Sequence, residues 1–406
     1  MQGKRTINSV LRDLPRSGLR RLTDEVMRIN QDRGNVIQLG FGQPQEPPDE
    51  GIRNAIIDAA SHGSLAYTEN AGFPELKNAI RLKLKKENGI NVEESDIFVT
   101  PGATYGVTIA IGCLIEPNDE VLVPDPGYPN FGPAVRHYGG LVKHYSLAKE
   151  RGFLPDLEQL ISQISSSTKL LVINSPCNPT GSVMDKDMIR ELLAIAERYN
   201  IWLLSDEVYE SYVYEGDHVS PLSFQNSEYV VGVFSFSKTY NMTGLRVGYI
   251  VTQNKELGKA LLNAQELYIS CAPSTSQMAA CHALKACNSY AHSMREEYRR
   301  KRDLAIDCLE PYIGHRPQGA FYLLINIDFT GFSSDEFADR LLQEKLVAVA
   351  PGATFGPTSD KYIRVAFTPQ YDVLREGLLR LREFLDEQDK IRKEELVGVT
   401  QGVMGK

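Results

Sequence analysis

Residues 235–246 read Ser-Phe-Ser-Lys-Thr-Tyr-Asn-Met-Thr-Gly-Leu-Arg and follow an apolar run, Tyr229 to Phe234, that predicts a buried β-strand. Open α/β sheets bind ligands outside the carboxyl ends of their strands, so we expect these polar residues at a ligand site. Lys238 supplies an amine that can form a Schiff base once it is deprotonated. Ser235 and Arg246 offer a neutral and a charge-assisted donor to phosphate oxygens. The stretch indicates a cofactor with a carbonyl group and a phosphate, although a polar loop with a solvated lysine is an equally good interpretation of this stretch alone.

Three further segments place polar residues directly after predicted strands. Asn178 lies in a turn rich in proline and glycine, residues 174–181, and Asp206 follows the apolar run Ile201 to Leu204. A carboxylate at a buried strand end is costly unless it meets a cation. Residues 100–104, Thr-Pro-Gly-Ala-Thr, end another strand and open a helix, whose first N–H groups form an anion site. Because all these segments follow strands, a chance combination of ordinary turns is a remote alternative.

With these motifs the chain resembles the pyridoxal-phosphate-dependent aminotransferases of classes I and II, the aspartate aminotransferase superfamily of fold type I. The resemblance extends from Gly40 to about Phe367. It implies that Lys238 forms the Schiff base with pyridoxal 5'-phosphate and later moves a proton, and that Asp206 pairs with the protonated ring nitrogen. It also implies that Asn178 and Tyr209 hydrogen-bond the phenolate oxygen of the ring, on which Tyr128 stacks.

The resemblance assigns the phosphate and the substrate to further residues. The phosphate is expected on the amides or hydroxyls of Ala103, Thr104 and Ser235 and on Arg246, with Ser237 as a weaker candidate. Arg364 is expected to bind the α-carboxylate of an amino acid, beside Gly42 and Asn178, since guanidinium forms two parallel N–H bonds to a carboxylate. In this family pattern Tyr67 reaches the phosphate of the neighbouring subunit, which implies a homodimer.

The chemistry gives independent reasons for two of these residue types. A carboxylate such as Asp206 keeps a ring nitrogen cationic, so that the ring can withdraw the electrons left by deprotonation of the substrate Cα. The side chain of a fully solvated lysine has a pKa of about 10.4, so Lys238 needs burial or a cationic neighbour to lower its pKa.

Short apolar strands alternate with helical patterns along most of the chain, which predicts an α/β fold: a mostly parallel sheet flanked by helices. Segments near 320–327, 347–349 and 362–367 predict a smaller α+β domain that includes the N-terminal arm. We expect an N-terminal arm at 1–45, a large cofactor-binding domain at 46–290 and a small C-terminal domain at 291–406. Residues 274–309 have one long helical pattern, and the charged stretch 295–303 within it is expected to be a solvated face.

The composition restricts the partners. The formal net charge of −8 over 406 residues argues against nucleic-acid binding. No apolar stretch approaches the ~20 residues that cross a bilayer, and the seven histidines lack metal-ligand spacing, so neither a membrane nor a metal is expected. The six cysteines are scattered without a CxxC pair, which favours a reducing, cytoplasmic location. The expected partners are an L-amino acid and a 2-oxo acid, between which an amino group is transferred.

Two other classes of function keep almost every residue named so far. A carbon–sulfur β-lyase or a cyclising synthase would use the same scaffold, and a non-catalytic amino-acid sensing domain resembles it. The sensing domain is the weaker alternative because the N-terminal arm is too short for a DNA-binding module. In the bacterial aspartate-specific branch the resemblance places a lysine, which binds the distal carboxylate, where this chain has Thr104. We therefore expect a monocarboxylic or aromatic amino acid to be preferred, with Phe41, Tyr128 and Phe321 as aromatic neighbours.

Overall fold

The computed structural model describes residues 7–13, 18–32, 34–63, 65–225 and 227–404; residues 1–6 and 14–17 of the predicted N-terminal arm lie outside them. The strands of the described residues are β1 (Ile37–Gln38), β2 (Ile97–Thr100), β3 (Glu120–Asp125), β4 (Leu141–Ala148), β5 (Leu154–Pro155), β6 (Thr168–Asn174), β7 (Trp202–Asp206), β8 (Val230–Ser235), β9 (Gly248–Val251), β10 (Tyr322–Asn326), β11 (Val347–Ala348), β12 (Ala350–Pro351) and β13 (Tyr362–Ala366).

Helices connect or flank these strands. They are α1 (Ser9–Asp13), α2 (Gly18–Asp32), α3 (Glu50–His62), α4 (Pro74–Lys83), α5 (Ala103–Leu114), α6 (Phe131–His137), α7 (Leu157–Gln163), α8 (Lys186–Tyr199), α9 (Phe236–Thr239), α10 (Lys255–Tyr268), α11 (Ser274–Ala286), α12 (Asn288–Leu309), α13 (Ser334–Lys345) and α14 (Tyr371–Met404). Within the described ranges, no helix is both long and apolar enough to span a membrane.

A large sheet with the strand order β2-β9-β8-β7-β6-β3-β4-β5 forms the centre of the fold. Strands β8, β7, β6, β3 and β4 pair in parallel, whereas β9 is antiparallel to both of its neighbours and β5 is antiparallel to β4. The central strands β6, β7 and β8 are almost entirely buried, as their continuous apolar runs predict. The predicted α/β class with a mostly parallel sheet is confirmed.

Local sequence rules account for several helix ends. The Asp185 carboxylate caps α8 by accepting the Met188 N–H, and Asn200 ends that helix in the left-handed region, with a φ of 51°. Pro74 occupies the first turn of α4, where its missing N–H costs no hydrogen bond. The helical pattern at 274–309 forms two helices that meet at Cys287 instead of one continuous helix.

A smaller sheet, β10-β13-β12, is antiparallel and lies with α13 and α14 in the C-terminal part. The N-terminal strand β1 pairs in parallel with β11, which joins the start of the chain to this part, as the sequence predicts. The strand expected near 320–327 begins only at Tyr322, because Gly319 bridges to Val213 and Ala320 has a φ of 53°. The two boundaries between the three expected domains stay a prediction; α12 crosses the one at 290/291.

The expected solvated face at 295–303 is wrong for two of its cations. Lys301 is 0% exposed and forms an ion pair with Glu46, while Arg302 is 3% exposed and pairs with Glu215 at 2.9 Å. Tyr298 is also buried and donates to the Glu46 carboxylate at 2.8 Å. A charge pattern in the sequence does not distinguish a solvated lysine from one that has a buried partner.

Candidate active site

The carboxyl ends of the parallel strands meet at one edge of the large sheet and enclose a cavity of about 370 Å³. The antiparallel strand β9 begins at that edge, which brings Arg246 there as well. From the small domain, β13 contributes Arg364. The residues predicted for the site that line the cavity are Gly42, Ala103, Thr104, Tyr128, Asn178, Asp206, Tyr209, Ser235, Ser237, Lys238, Arg246 and Arg364.

Lys238 lies in the short helix α9 directly after β8. The Ser235 hydroxyl caps this helix by accepting the Ser237 N–H at 3.1 Å, and the Tyr212 hydroxyl donates to the Lys238 carbonyl at 2.9 Å. The Lys238 Nζ donates to the Gly42 carbonyl at 2.7 Å. Burial, followed by the charges of Arg364 and Arg246, lowers the pKa of Lys238 from 10.5 to about 8. The amine can thus lose its proton near neutral pH.

Asp206 ends β7 and is 4% exposed. Its carboxylate accepts one backbone N–H, from Val208 at 3.4 Å, so a buried anion faces the cavity with little compensation. Burial raises the pKa of Asp206 to about 7; the charge of Glu207 adds to the increase, and Lys238 opposes it. A cation placed in the cavity would stabilise the ionised carboxylate.

Arg364 and Asn178 fix each other. The Arg364 Nη1 donates to the Asn178 Oδ1 at 2.9 Å, and Nη2 donates to the Gly40 carbonyl at 2.6 Å. Because guanidinium can only donate, Asn178 must turn its oxygen to Arg364 and keep its amide N–H groups for the cavity. The Arg364 Nε is buried without a partner. Both side chains therefore hold unused donors beside the cavity.

Three tyrosines form a wall of the cavity. The Tyr209 and Tyr322 hydroxyls are 2.8 Å apart, and the Tyr128 hydroxyl lies 3.1 Å from the Thr104 hydroxyl. Burial raises the pKa values of Tyr209 and Tyr322, so both phenols stay protonated and can donate. The Tyr322 ring also lies under the Arg364 guanidinium, 4.3 Å from ring centroid to Cζ.

The amino end of α5 provides an anion site. Gly102 precedes it with a φ of +89°, a conformation that favours glycine, and no side chain caps the helix. A Cβ on Gly102 would lie 2.3 Å from the Arg246 Nη2, so the absent side chain makes room for this guanidinium. Ala103 and Thr104 form the first turn, which leaves their N–H groups at the cavity beside Arg246.

Tyr67 does not line this cavity in its own chain; its side chain is 88% exposed. Phe321 is fully buried against Tyr209 and Tyr212 and does not line the cavity either. Of the neighbours Phe321 and Tyr322, it is Tyr322 that lines the cavity. The expected aromatic neighbours Phe41 and Tyr128 do line it.

Sequence reasoning missed four residues that build the site. Asn174 receives the Asn178 N–H at 2.8 Å and donates to the Asp206 carbonyl at 2.9 Å; its place in the same turn motif could have indicated this role. Side chains alternate between the two faces of a strand, so the position of Tyr322 could have been predicted if the start of β10 had been known. The other two residues are Phe355, whose ring contacts Arg364, and Leu19 of α2. Both lie far in sequence from the cofactor motifs, so no local pattern indicates that they belong to the site.

Comparison with known proteins agrees with this geometry. The family described as aminotransferase class I and II matches residues 34–380. An aspartate aminotransferase of Pyrococcus horikoshii is 34% identical over 378 residues, 92% of this chain and 95% of that protein. Aromatic-amino-acid aminotransferase 2 of Thermococcus litoralis is 32% identical over 381 residues, 92% of this chain and 96% of its own length.

The solved structures agree as well. A double mutant of the Thermus thermophilus aspartate aminotransferase superposes with a TM-score of 0.89 at 30% identity, over 93% of this chain and 99% of that one. The match extends over both the large sheet and the small domain. Both in sequence and in fold, this chain belongs to the class I and II aminotransferases, which transfer amino groups.

Proposed function

We propose that this aminotransferase binds pyridoxal 5'-phosphate as a Schiff base on Lys238 and moves an amino group between an L-amino acid and a 2-oxo acid. The observation that carries the proposal is one cavity that holds a buried amine, a buried carboxylate and a buried guanidinium, on Lys238, Asp206 and Arg364. A carbonyl cofactor, its ring nitrogen and a substrate carboxylate require these three groups respectively.

The donor set fits the phosphate of that cofactor. The uncapped first turn of α5 offers the N–H groups of Ala103 and Thr104, and the Ser235 and Ser237 hydroxyls lie at the same cavity. The Ser235 hydroxyl accepts the Ser237 N–H, so its own hydrogen is free to be donated to the phosphate. Gly102 leaves the space that Arg246 fills, and a guanidinium is the cation that best matches phosphate oxygens.

The residues around the ring have matching chemistry. Asp206 would hold the proton of the ring nitrogen, while Asn178 Nδ2 and the Tyr209 hydroxyl would donate to the phenolate oxygen. Tyr128 would stack on the ring from the β3 side. When bound, the cofactor supplies a ring that accepts the electrons released by deprotonation of the substrate Cα. Lys238, with its pKa near 8, would take that proton and return it.

Labelling tests the assignment of Lys238. Borohydride reduction of the yellow protein followed by peptide mapping should place the cofactor on Lys238, and a label on another lysine would contradict the proposal. The Asp206→Asn variant should fold but deprotonate the substrate Cα far more slowly, because a neutral amide stabilises a cationic ring nitrogen poorly. Incubation with a panel of amino acids then separates the reaction classes. Aminated cofactor without ammonia means transamination, whereas ammonia release means a lyase.

We propose a monocarboxylic or aromatic amino acid as the preferred donor. Among the described residues, the cations that line the cavity are Lys238, Arg246 and Arg364, and each already has a role. By the family resemblance, Thr104 occupies the position of a cation that would bind the second carboxylate of a dicarboxylic substrate. One charge-assisted hydrogen bond is worth roughly 1.5–3 kcal/mol. Its loss lowers affinity for a dicarboxylate by about one to two decades.

The names of the relatives leave both choices open, because the Pyrococcus horikoshii protein is an aspartate enzyme and the Thermococcus litoralis protein an aromatic one. Measuring kcat/KM for aspartate, alanine and phenylalanine with one fixed oxo acid decides between them. A clear preference for aspartate would mean that a further cation reaches the site, for example from a second subunit.

We also propose a homodimer in which Tyr67 reaches the phosphate of the partner's site, and a cytoplasmic location. The high exposure of Tyr67 in the single chain and the free thiols of the cysteines support these two proposals. Mixing Tyr67→Phe and Lys238→Ala protomers should regenerate some intact sites in mixed dimers. An active monomer in sedimentation at micromolar concentration would contradict the dimer, and cell fractionation tests the location.

A further inference from the structure

Glu207 follows the buried Asp206 in the chain but is not part of the cavity wall described above. Successive side chains of an extended chain point to opposite faces of a sheet, so Asp206 faces the site and Glu207 the other side. The Glu207 side chain has no exposed surface. The Glu207 backbone N–H donates to the Val233 carbonyl of β8 at 2.9 Å, so Glu207 extends the pairing of β7 with β8. Val233 lies two residues before Ser235 on β8.

Both oxygens of the Glu207 carboxylate accept hydrogen bonds. The His218 Nε2 lies 2.7 Å from one oxygen, and the Ser220 hydroxyl donates to the other at 2.8 Å. The Ser220 hydroxyl also accepts the Leu222 N–H at 3.3 Å, so its one hydrogen points to Glu207. The Ser220 hydroxyl donates to one oxygen, and a hydrogen on the His218 Nε2 would serve the other, so the geometry suits a carboxylate on Glu207.

The charge of the His218 ring thus depends on its Nδ1. This atom is buried without a protein partner, and the side chain is 9% exposed. His218 lines a second cavity, of about 540 Å³, on the far side of the active-site strand. A fully buried carboxylate is costly without a cation, which favours the doubly protonated, positively charged ring.

The other charged groups around this cavity do not replace His218. Lys83 is paired with Glu210 at 2.5 Å, and in the described part of the chain His218 is the one cationic side chain within hydrogen-bond distance of Glu207. The remaining charged or titratable groups along the cavity are Lys86, Glu87, Asp217, Tyr240, Tyr249, His292 and Arg295. On the opposite face, Asp206 meets Lys238, Arg246 and Arg364, together with the phenols of Tyr128, Tyr209 and Tyr322.

We propose that His218 and Glu207 form a charge-balancing pair behind Asp206, in which the charged His218 cancels the negative charge of Glu207 and so allows Asp206 to remain ionised. His218 is then a positioning residue for the charge on Asp206, although it touches neither the cofactor nor the substrate. The inference rests on the proposed role of Asp206 toward the ring nitrogen. It goes beyond that role by assigning a function to two residues outside the site.

The physical argument concerns the pKa of Asp206, which burial and, less strongly, the charge of Glu207 raise to about 7. Replacing His218 with glutamine keeps a donor for Glu207 but removes the compensating charge, so the pKa of Asp206 should rise. Replacing Glu207 with glutamine removes the negative charge that raises the pKa of Asp206, so this pKa should fall. The double variant removes both charges and should return close to the wild-type value. A purely structural role would instead move both single variants in the same direction.

The test uses protein freed of cofactor and labelled with ¹³C at the aspartate carboxyls, with the Asp206→Asn spectrum identifying the signal. His218→Gln should raise the pKa of Asp206 by about one pH unit, Glu207→Gln should lower it, and the double variant should fall between them. Independently of any variant, the ¹⁵N shifts of the wild-type His218 ring should show both nitrogens protonated at pH 7. Shifts of equal sign in the two single variants, or a neutral ring at pH 7, would overturn the proposal.

A second measurement separates this inference from the proposed function. The affinity of His218→Gln for pyridoxal phosphate should drop up to tenfold at pH 7 and recover at pH 8.5, where Asp206 is ionised in every variant. If the carboxyl signal shifts as expected but the affinity at pH 7 does not change, the charge-balancing pair is correct and the role of Asp206 toward the ring is wrong.

Discussion

Replacing Arg364 by glutamine should make Lys238 harder to deprotonate. With a pKa of about 8, roughly one Lys238 amine in ten is neutral at pH 7, against fewer than one in a thousand at the ordinary value of 10.5. Burial is the largest cause of this decrease and the Arg364 charge the second. Removing that charge should therefore raise the pKa by about one pH unit, less than half of the way back to the ordinary value.

The assay is the rate at which added pyridoxal phosphate forms a Schiff base with the cofactor-free protein, followed by absorbance between pH 7.5 and 10.5. Only the neutral amine reacts, so the rate rises with pH and its midpoint reports the pKa of Lys238. Above pH 7.5 the Asp206 carboxyl, with a pKa of about 7, is mostly ionised and disturbs the fit little.

Arg340→Gln is the matched control, because it makes the same chemical change at an exposed residue paired with Glu336 at 3.1 Å. Its midpoint should equal that of the wild type. Glutamine at 364 retains a donor for Asn178, so the variant tests the charge more than the packing. An unchanged or lower midpoint in Arg364→Gln would refute the electrostatic account of the Lys238 pKa.

Two further substitutions test the framework of the site. Gly102→Ala should lower cofactor affinity about tenfold or more, because its Cβ would meet Arg246 at 2.3 Å, and equilibrium titration measures this. Gly331 has a similar positive φ of +74°, but a Cβ there would meet no atom within 4 Å, so the control variant Gly331→Ala should keep the wild-type affinity. Equal losses of affinity in the two variants would point to backbone strain as the cause. Lys301→Met should lower the free energy of unfolding by about 2 kcal/mol, since it leaves the half-buried Glu46 without its cation, whereas the exposed Lys393→Met should cost less than about 0.5 kcal/mol in the same denaturant titration. Equal costs would mean that the buried pair contributes no more than a surface pair.

The sequence predicted which polar residues meet at the edge of the large sheet, because the signals for them are local. Lys238, Asp206 and Asn178 each follow a recognisable apolar strand, and parallel strands end at a common edge. Once a parallel sheet is predicted, the meeting of these three residues follows without any knowledge of long-range packing. Their individual roles toward the cofactor stay predictions.

Burial and the choice of face could not be predicted in the same way. Lys301 was expected in a solvated face because its partner, Glu46, lies 255 positions away in the chain. Phe321 and Tyr322 are adjacent, so a one-residue shift in the register of β10 decides which ring faces the cavity. The left-handed backbone of Ala320 sets the start of β10, and no residue type in the motif indicates it.

The orientation of Arg364 depends on contacts between the two parts of the chain. Asp125, the last residue of β3, accepts the Thr358 N–H at 3.2 Å, and Gly127 donates to the Phe355 carbonyl at 2.8 Å. These contacts hold the loop whose Phe355 ring lies 4.6 Å from the Arg364 guanidinium. Gly356 permits the approach, since a Cβ there would lie 2.0 Å from the Asp125 Oδ1.

The same strand end that carries Tyr128 thus also anchors the loop behind the proposed carboxylate-binding arginine. A substrate carboxylate bound by Arg364 would be placed relative to Tyr128 through this short chain of contacts. Because the two groups are coupled at one strand end, a shift of the small domain would move the carboxylate and the aromatic wall together. The position of the proposed substrate anchor relative to the proposed cofactor site therefore depends on Asp125 and its loop as well as on the direct contact of Arg364 with Asn178.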